Sequence, residues 1–380
     1  APSTHTLTTQ VTGSGSVSKD PDQPTYDYNS VVELTATPVA GYSFDSWSID
    51  LSGSANPESI IMDGDKSVMA TFTLNSYELT VGTDGTPGAV VSPMGTVSVD
   101  HGQAQVITIT TIPAEYQFIE WTVTSGTGAS IFNKDMVTTT ITLTDGAATV
   151  EASFELKQYT LTVITDGTDG SAVSPATPVT VTHGQPETIS VVTMPEGYRL
   201  TSWSIVSGFA NIANDTLETT TATLTNGNAI IQANFELKEY RLTLLTDGTP
   251  GAAVSPALPV MVTHGQPQII SAVTPTGYEF KNWELLSGTV TLGNDTVVIT
   301  TATLTSDDVI LRANFELKEY TMSLITDGTP GATVSPALPV VVEHGQPQLI
   351  SATTIPVGYK FKNWTLFSGS ATFEDDTMAT

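Results

Sequence analysis

One aromatic signature constrains this chain more than any other feature: Gly277-Tyr278-Glu279-Phe280-Lys281-Asn282-Trp283 recurs in five versions, and every tryptophan belongs to one. The other copies are Gly41-Tyr42-Ser43-Phe44 through Trp47, Glu115-Tyr116-Gln117-Phe118 through Trp121, Gly197-Tyr198-Arg199-Leu200 through Trp203, and Gly358-Tyr359-Lys360-Phe361 through Trp364. Successive tryptophans stand 74, 82, 80 and 81 residues apart. A period that long, with three large apolar side chains per copy, means one small domain per period, its core seeded by the aromatic residues. The 380 residues then divide into five repeats, 1–76, 77–158, 159–239, 240–319 and 320–380, the last of them incomplete because its final strand is missing. Trp47, Trp121, Trp203, Trp283 and Trp364 are the expected structural core residues.

The fold class is all-β, a linear array of five tandem small domains of about 80 residues each. Threonine and valine dominate and alternate with apolar residues, as a pleated sheet with one wet face requires. The closing strand of each repeat is clearest: Val68, Ala70, Phe72 and Leu74 share a face, as do Val150, Ala152, Phe154 and Leu156, then Ile231, Ala233, Phe235 and Leu237, then Leu311, Ala313, Phe315 and Leu317. Repeats two to five open at Tyr77, Tyr159, Tyr240 and Tyr320. Each opening strand ends at an Asp-Gly pair (Asp84-Gly85, Asp166-Gly167, Asp247-Gly248, Asp327-Gly328), which reads as a tight hairpin turn. A second strand ends at His101-Gly102, His183-Gly184, His264-Gly265 or His344-Gly345. Pro186, Pro267 and Pro347 follow, placing the next strand's start near a sheet edge. No amphipathic helix is seen. Repeats join through stretches as short as Phe235-Glu236-Leu237-Lys238-Glu239-Tyr240, so the joints should be stiff.

Parity inside the signature poses a problem. Tyr278 and Phe280 share one strand face, and Trp283 falls on the other. A bulge at Lys281-Asn282 would return Trp283 and Leu285 to the core face, whereas five exposed tryptophans would make an aggregation-prone surface.

These residues resemble the divergent internalin B-repeats (Listeria-Bacteroides-type repeats) of bacterial surface and secreted proteins. Repeat one is nearest, with Val32-Glu33-Leu34-Thr35-Ala36-Thr37-Pro38 before its signature and Met69-Ala70-Thr71-Phe72 closing it. Later repeats add a Pro-Val-x-Val-x-His-Gly segment; Glu115 stands where the pattern has Gly, and Leu200 where it has Phe. The resemblance implies a small β-grasp-like or sandwich-like module of cell-surface adhesins and exported filaments, hence an extracellular or cell-surface location.

Charge narrows the partners. Thirty-nine acidic residues oppose 12 basic ones, and a net charge of -27 repels phosphate backbones and anionic headgroups, so nucleic acid is not an expected partner. No apolar run approaches the roughly 20 residues of a membrane helix, so no membrane insertion is expected. Cysteine is absent, leaving each repeat to rely on packing. Ala1-Pro2-Ser3 reads as a mature or excised terminus.

Four histidines recur in register, but each repeat offers one His and no Cys, too few for zinc; they read as polar residues closing a strand. No Ser-His-Asp set recurs, and Glu155, Glu236 and Glu316 belong to a solvated face, so the chain is not read as an enzyme. Asn214-Asp215, Asn294-Asp295, Asp375-Asp376 and the Asp-Gly turns would offer oxygens to calcium, the one metal alternative to none, although no spacing matches a calcium loop and Asx-rich turns arise for backbone reasons alone. Recurrent Thr, Lys and Gln would also supply intramolecular ester or amide cross-links, with no geometry specified.

A binding surface, if present, belongs to the loops that differ after each Ser-Gly: residues 54–60, 127–136, 209–215, 289–295 and 370–376. Candidate contacts there are Ile131, Phe132, Phe209, Asn214, Asp215, Asn294, Asp295, Asp375 and Asp376. The reading is a non-catalytic stalk, adhesin segment or filament subunit. Its rivals are a module binding a host or cell-surface glycan or protein through these loops, and the accessory repeats of a larger secreted enzyme. Counterparts of residues 300–319 are lacking after Trp364. Either the natural chain continues past Thr380, or a neighbouring copy donates its Thr4-His5-Thr6-Leu7-Thr8 region as a strand and builds a filament.

Overall fold

The computed structural model describes residues 3–380, which contain β-strands and no helix. Of the Ala1-Pro2-Ser3 start, the first two residues lie outside the described part. Repeat two serves as the type, with eight strands: β1 Ser76–Thr83, β2 Val90–Ser92, β3 Gly95–Asp100, β4 Ala104–Thr111, β5 Tyr116–Ser125, β6 Ala129–Ile131, β7 Thr138–Leu143 and β8 Ala148–Leu156.

Two four-stranded sheets form, in the orders β3-β1-β8-β5 and β2-β4-β7-β6. They enclose one core that draws Leu79, Val81, Trp121, Val150 and Ala152 from the first sheet and Val91, Ile107, Ile109, Ile141 and Leu143 from the second. This is a β-sandwich rather than a β-grasp. Repeats three and four reproduce both sheets and each has its own core. Repeat one has two three-stranded sheets, Leu7–Thr12, Lys66–Leu74 and Tyr42–Ile49 in one and Gly15–Asp20, Val31–Pro38 and Glu58–Ile61 in the other. In repeat five the ladders are two pairs, Glu319–Met322 with Val340–Glu343 and Thr333–Ser335 with Ser351–Thr354.

Within a sandwich the chain switches sheets at almost every step, and this corrects the hairpin reading of the Asp-Gly pairs. β1 lies in the first sheet and β2 in the second, so Asp84-Gly85 leads a crossing between layers. The carboxylate explains the residue choice. Asp84 Oδ1 accepts from Thr86 N–H at 3.0 Å and Thr86 Oγ1 at 2.7 Å, an Asx turn, while Oδ2 accepts from Phe154 N–H at 2.8 Å. Asp166 and Asp247 hold Phe235 and Phe315 at the same 2.8 Å. Each aspartate therefore ties the end of β1 to the parallel strand β8 beside it.

The bulge expected in the signature is present. Pairing with β8 skips one residue between Phe280 and Asn282, and likewise between Phe44 and Ser46, Phe118 and Glu120, and Leu200 and Ser202. The skipped residue turns the strand by one step, so Phe280 and Trp283 meet on one face with ring centroids 5.6 Å apart. Leu285 departs from expectation: it pairs with buried Leu311 yet stays 45% exposed. β5 is an edge strand, flanked on one side only, and the corresponding Ile205 lines an open groove described below.

The proline expectation holds locally. Pro186 begins β4 of repeat three (Pro186–Thr193), a central strand, but the short β2 (Ala172–Ser174) pairs only with residues 190–193. The Pro186 end thus has a neighbour on one side alone. The strand proposed for donation is engaged in its own repeat: Leu7–Thr12 runs parallel to Lys66–Leu74, with Leu7 7% exposed, so donating it would break that ladder.

Candidate functional site

The variable loop after each Ser-Gly is fastened from beneath by the signature tryptophan. Trp203 N–H donates to Asp215 O at 2.6 Å and its indole Nε1–H to Leu217 O at 2.8 Å. The same pair of bonds joins Trp121 to Lys134 and Met136 (2.8 and 3.0 Å), Trp283 to Asp295 and Val297 (2.7 and 3.1 Å), and Trp364 to Asp376 and Met378 (2.7 and 3.1 Å). In repeat one Trp47 reaches Gly53 and Ala55, both at 2.8 Å. A buried indole needs a partner for its N–H, and the loop carbonyl supplies it. Trp47, Trp121, Trp203 and Trp283 are 1–2% exposed, while Trp364 is half-buried.

A second fastening comes from threonines that the sequence reading missed. Thr139, Thr220 and Thr300, on β7 of repeats two, three and four, are buried, and their Oγ1 atoms accept from the N–H groups of Asn133, Asn214 and Asn294 at 3.1, 3.1 and 2.8 Å. The signal was an Asn followed six residues later by Thr in three repeats, hidden because β7 is threonine-rich throughout.

The Asn and Asp candidates are turn-forming residues. Asn214 Oδ1 accepts from Thr216 N–H and Oγ1 at 3.0 and 2.8 Å, Asn294 Oδ1 from Thr296 at 2.9 and 2.8 Å, and Asp375 Oδ1 from Thr377 at 2.9 and 2.7 Å. The Thr377 hydroxyl, followed by its N–H, holds the Asp375 carboxyl below the usual carboxylate range. Asp215, Asp295 and Asp376 contribute their backbone carbonyls to the tryptophan. Among the described residues no group of three or more His, Cys, Asp or Glu converges as a cation site would need.

What the loops present outward is a shallow groove and an apolar tip. In repeat three a groove of about 530 Å³ runs between Trp203 and Ile205 of β5 (Tyr198–Gly208) and residues 212–215, so it brings Asn214 and Asp215 together. The groove of repeat two, about 500 Å³, includes Ile131 and Phe132. Ile131 packs partly into the core, whereas Phe132 is 84% and Phe209 67% exposed. The signature tryptophan is common to both grooves; the loop residues beside it are what vary.

A protein of Evansella cellulosilytica called "Putative Gly-rich membrane protein" is 26% identical over 360 residues, 89% of this chain but 37% of that protein. The chain therefore spans little more than a third of the relative's length. Among solved structures, the Bacillus anthracis TIE protein aligns with a TM-score of 0.30 and 10% identity over 80% of this chain and 65% of its own. The pilus adhesin SpaC of Lactobacillus rhamnosus GG aligns at 0.18 and 13% over 62% and 43%. The divergent InlB B-repeat domain matches four times in tandem, at residues 5–76, 77–158, 159–239 and 242–319. With signature, bulged strand and sandwich repeating through those segments, the chain belongs to the divergent InlB B-repeat family.

Proposed function

We propose that the chain is a structural segment of a bacterial cell-surface or secreted protein, a stalk, adhesin segment or filament subunit without catalysis. The observation that carries this reading is the length of the linkers. A single residue, Asn75, Lys157, Lys238 or Lys318, separates the last strand of one repeat from the first strand of the next. A one-residue linker has almost no conformational freedom compared with Gly/Ser or Pro spacers. Family membership and a relative called a membrane protein agree with a surface location; no helix among the described residues is long and apolar enough to cross a membrane.

Small-angle X-ray scattering tests the reading. A repeat of this size has a radius of gyration near ~12 Å and a diameter of roughly 30 Å, so five stiffly joined repeats should extend on the order of 150 Å. A compact particle would overturn it.

Exposed Phe132 and Phe209 favour one second reading, recognition of a glycan or protein by the loop tips. A glycan array probed with the wild type and with a Phe132→Ser, Phe209→Ser double variant separates the two. Binding lost in the variant supports recognition, and an array without signal leaves the structural reading.

A further inference from the structure

Each recurrent histidine lies at a joint. His101 of repeat two packs on the signature glycine of repeat one so closely that a Cβ built on Gly41 would fall 2.2 Å from the ring carbon Cδ2. His264 meets Gly197 and His344 meets Gly277 in the same way, at 2.2 and 2.3 Å. Glycine suits both features of the contact: the ring fills the space a Cβ would take, and φ is +86, +79 and +84° at the three residues. That angle belongs to a turn in which Tyr42, Tyr198 and Tyr278 N–H bond back to Val39, Pro195 and Pro275 O, with the glycine in the third place; repeat two closes the same turn, Tyr116 N–H to Pro113 O at 3.0 Å, without a positive φ at Glu115.

A backbone relay runs beside each seat. Asn75 N–H donates to Gly41 O and His101 N–H to Asn75 O, both at 2.8 Å, so signature turn, linker and next repeat are bonded in series. The relay recurs through Lys238 (2.7 and 2.8 Å) and Lys318 (2.9 and 2.8 Å). The ring is held from its own repeat by the tyrosine that opens β1: His101, His264 and His344 Nδ1 lie 3.4 Å from the hydroxyls of Tyr77, Tyr240 and Tyr320. In Gly358, the signature glycine of repeat five, no heavy atom comes within 4 Å of a built Cβ, so the contact is made by the following repeat and not by the signature's own.

One joint differs. Between repeats two and three the signature position is Glu115, which has a Cβ and does not take a positive φ. The relay survives there, from Lys157 N–H to Glu115 O at 2.9 Å and His183 N–H to Lys157 O at 2.8 Å, and His183 keeps its tyrosine at 3.2 Å. What it lacks is the signature glycine.

We propose that the histidine of each repeat and the signature glycine of the repeat before it form a lock that fixes the angle between consecutive repeats, and that the joint at Glu115 is the array's unlocked hinge. This rests on the reading of the chain as a structural array and gives its stiffness a pattern: three locked joints and one softer one, second in the series.

Spin labels on introduced cysteines test it, the sequence having none of its own. One exposed loop position in each of two neighbouring repeats is labelled in the full chain, for instance Asp169 and Asp307 across the joint between repeats three and four, and the label-to-label distance distribution is read by pulsed electron resonance. The Glu115 joint should give a broader distribution than the other three. His264→Ala and Gly197→Ala should broaden the labelled joint, and Glu115→Gly should narrow the second one. Gly227→Ala, at φ +98° with no heavy atom near its Cβ position, introduces backbone strain without a ring clash and should change nothing. Equal widths at all four joints, or a joint indifferent to His264→Ala, overturn the lock. An extended scattering profile with equal joint widths would sink it while leaving the structural reading intact.

Discussion

Trp283 has two tasks at once, filling the core of repeat four at 2% exposure and fastening a loop by two hydrogen bonds. Trp283→Ala should lower the stability of that repeat by about 3 to 5 kcal/mol, the range for removing a buried large aromatic, measured as lost hydrogen-exchange protection in residues 240–319. Trp283→Phe should recover part of the loss but leave the loop at residues 293–298 faster to exchange, since the ring returns without its N–H. The aspartates after β1 make a pH prediction. Partial burial pushes the Asp247 carboxyl up, but the bonds from the Thr249 hydroxyl, Phe315 N–H and Thr249 N–H together outweigh it and leave the group below the ordinary 3.8. A carboxyl lowered by folding stabilises the folded state fully above the unfolded value and loses that contribution as pH falls through the folded one. Repeat four should therefore weaken as pH drops below about 3.8, and Asp247→Asn should flatten this acid limb. An unchanged limb in the variant would show that Asp247 is not one of its causes.

At the scale of elements, β5 and the loop behind it form one unit, clamped at the tryptophan and at the β7 threonine. Thr300→Val keeps the shape but removes the acceptor of Asn294 N–H, and should cost about 1 kcal/mol, visible as faster exchange at residues 293–297 with the core unaffected. Calcium addition or chelation should shift the melting of no repeat, because the Asn214, Asn294 and Asp375 oxygens best placed for a cation already accept two hydrogen bonds each; a calcium-dependent rise would revive the ion reading. The bulge was legible from parity alone, since Phe280 and Trp283 cannot otherwise share a face. The sheet-crossing role of Asp84, Asp166 and Asp247 was not, because the second carboxylate oxygen bonds a residue 68 to 70 positions away.

For the whole molecule the separation of cores matters most. Each of the first four repeats has its own buried cluster, and none of these draws residues from a neighbouring repeat. Stability in such an array is close to a sum of repeat terms and nearest-neighbour terms. The loss caused by Trp283→Ala should thus reach repeats three and five at most, and exchange protection in residues 7–74 should match the wild type; a drop there would mean the chain unfolds as one unit.

The sequence by itself determined the all-β class, the period, the buried aromatic face and its bulge, because those rest on local alternation and on side-chain chemistry repeated in register. Tertiary structure alone decided that each of the first four periods closes as a two-sheet sandwich, with its last strand laid parallel to its first long one, since a strand's partner is set by long-range pairing that alternation does not encode. It also decided what the histidines do. Read along the chain, His264 closes a strand before a glycine turn; in space it lies on Gly197, 67 residues earlier, in the preceding repeat. No local pattern records that contact, because the two halves of the joint belong to different repeats and meet only when both have folded.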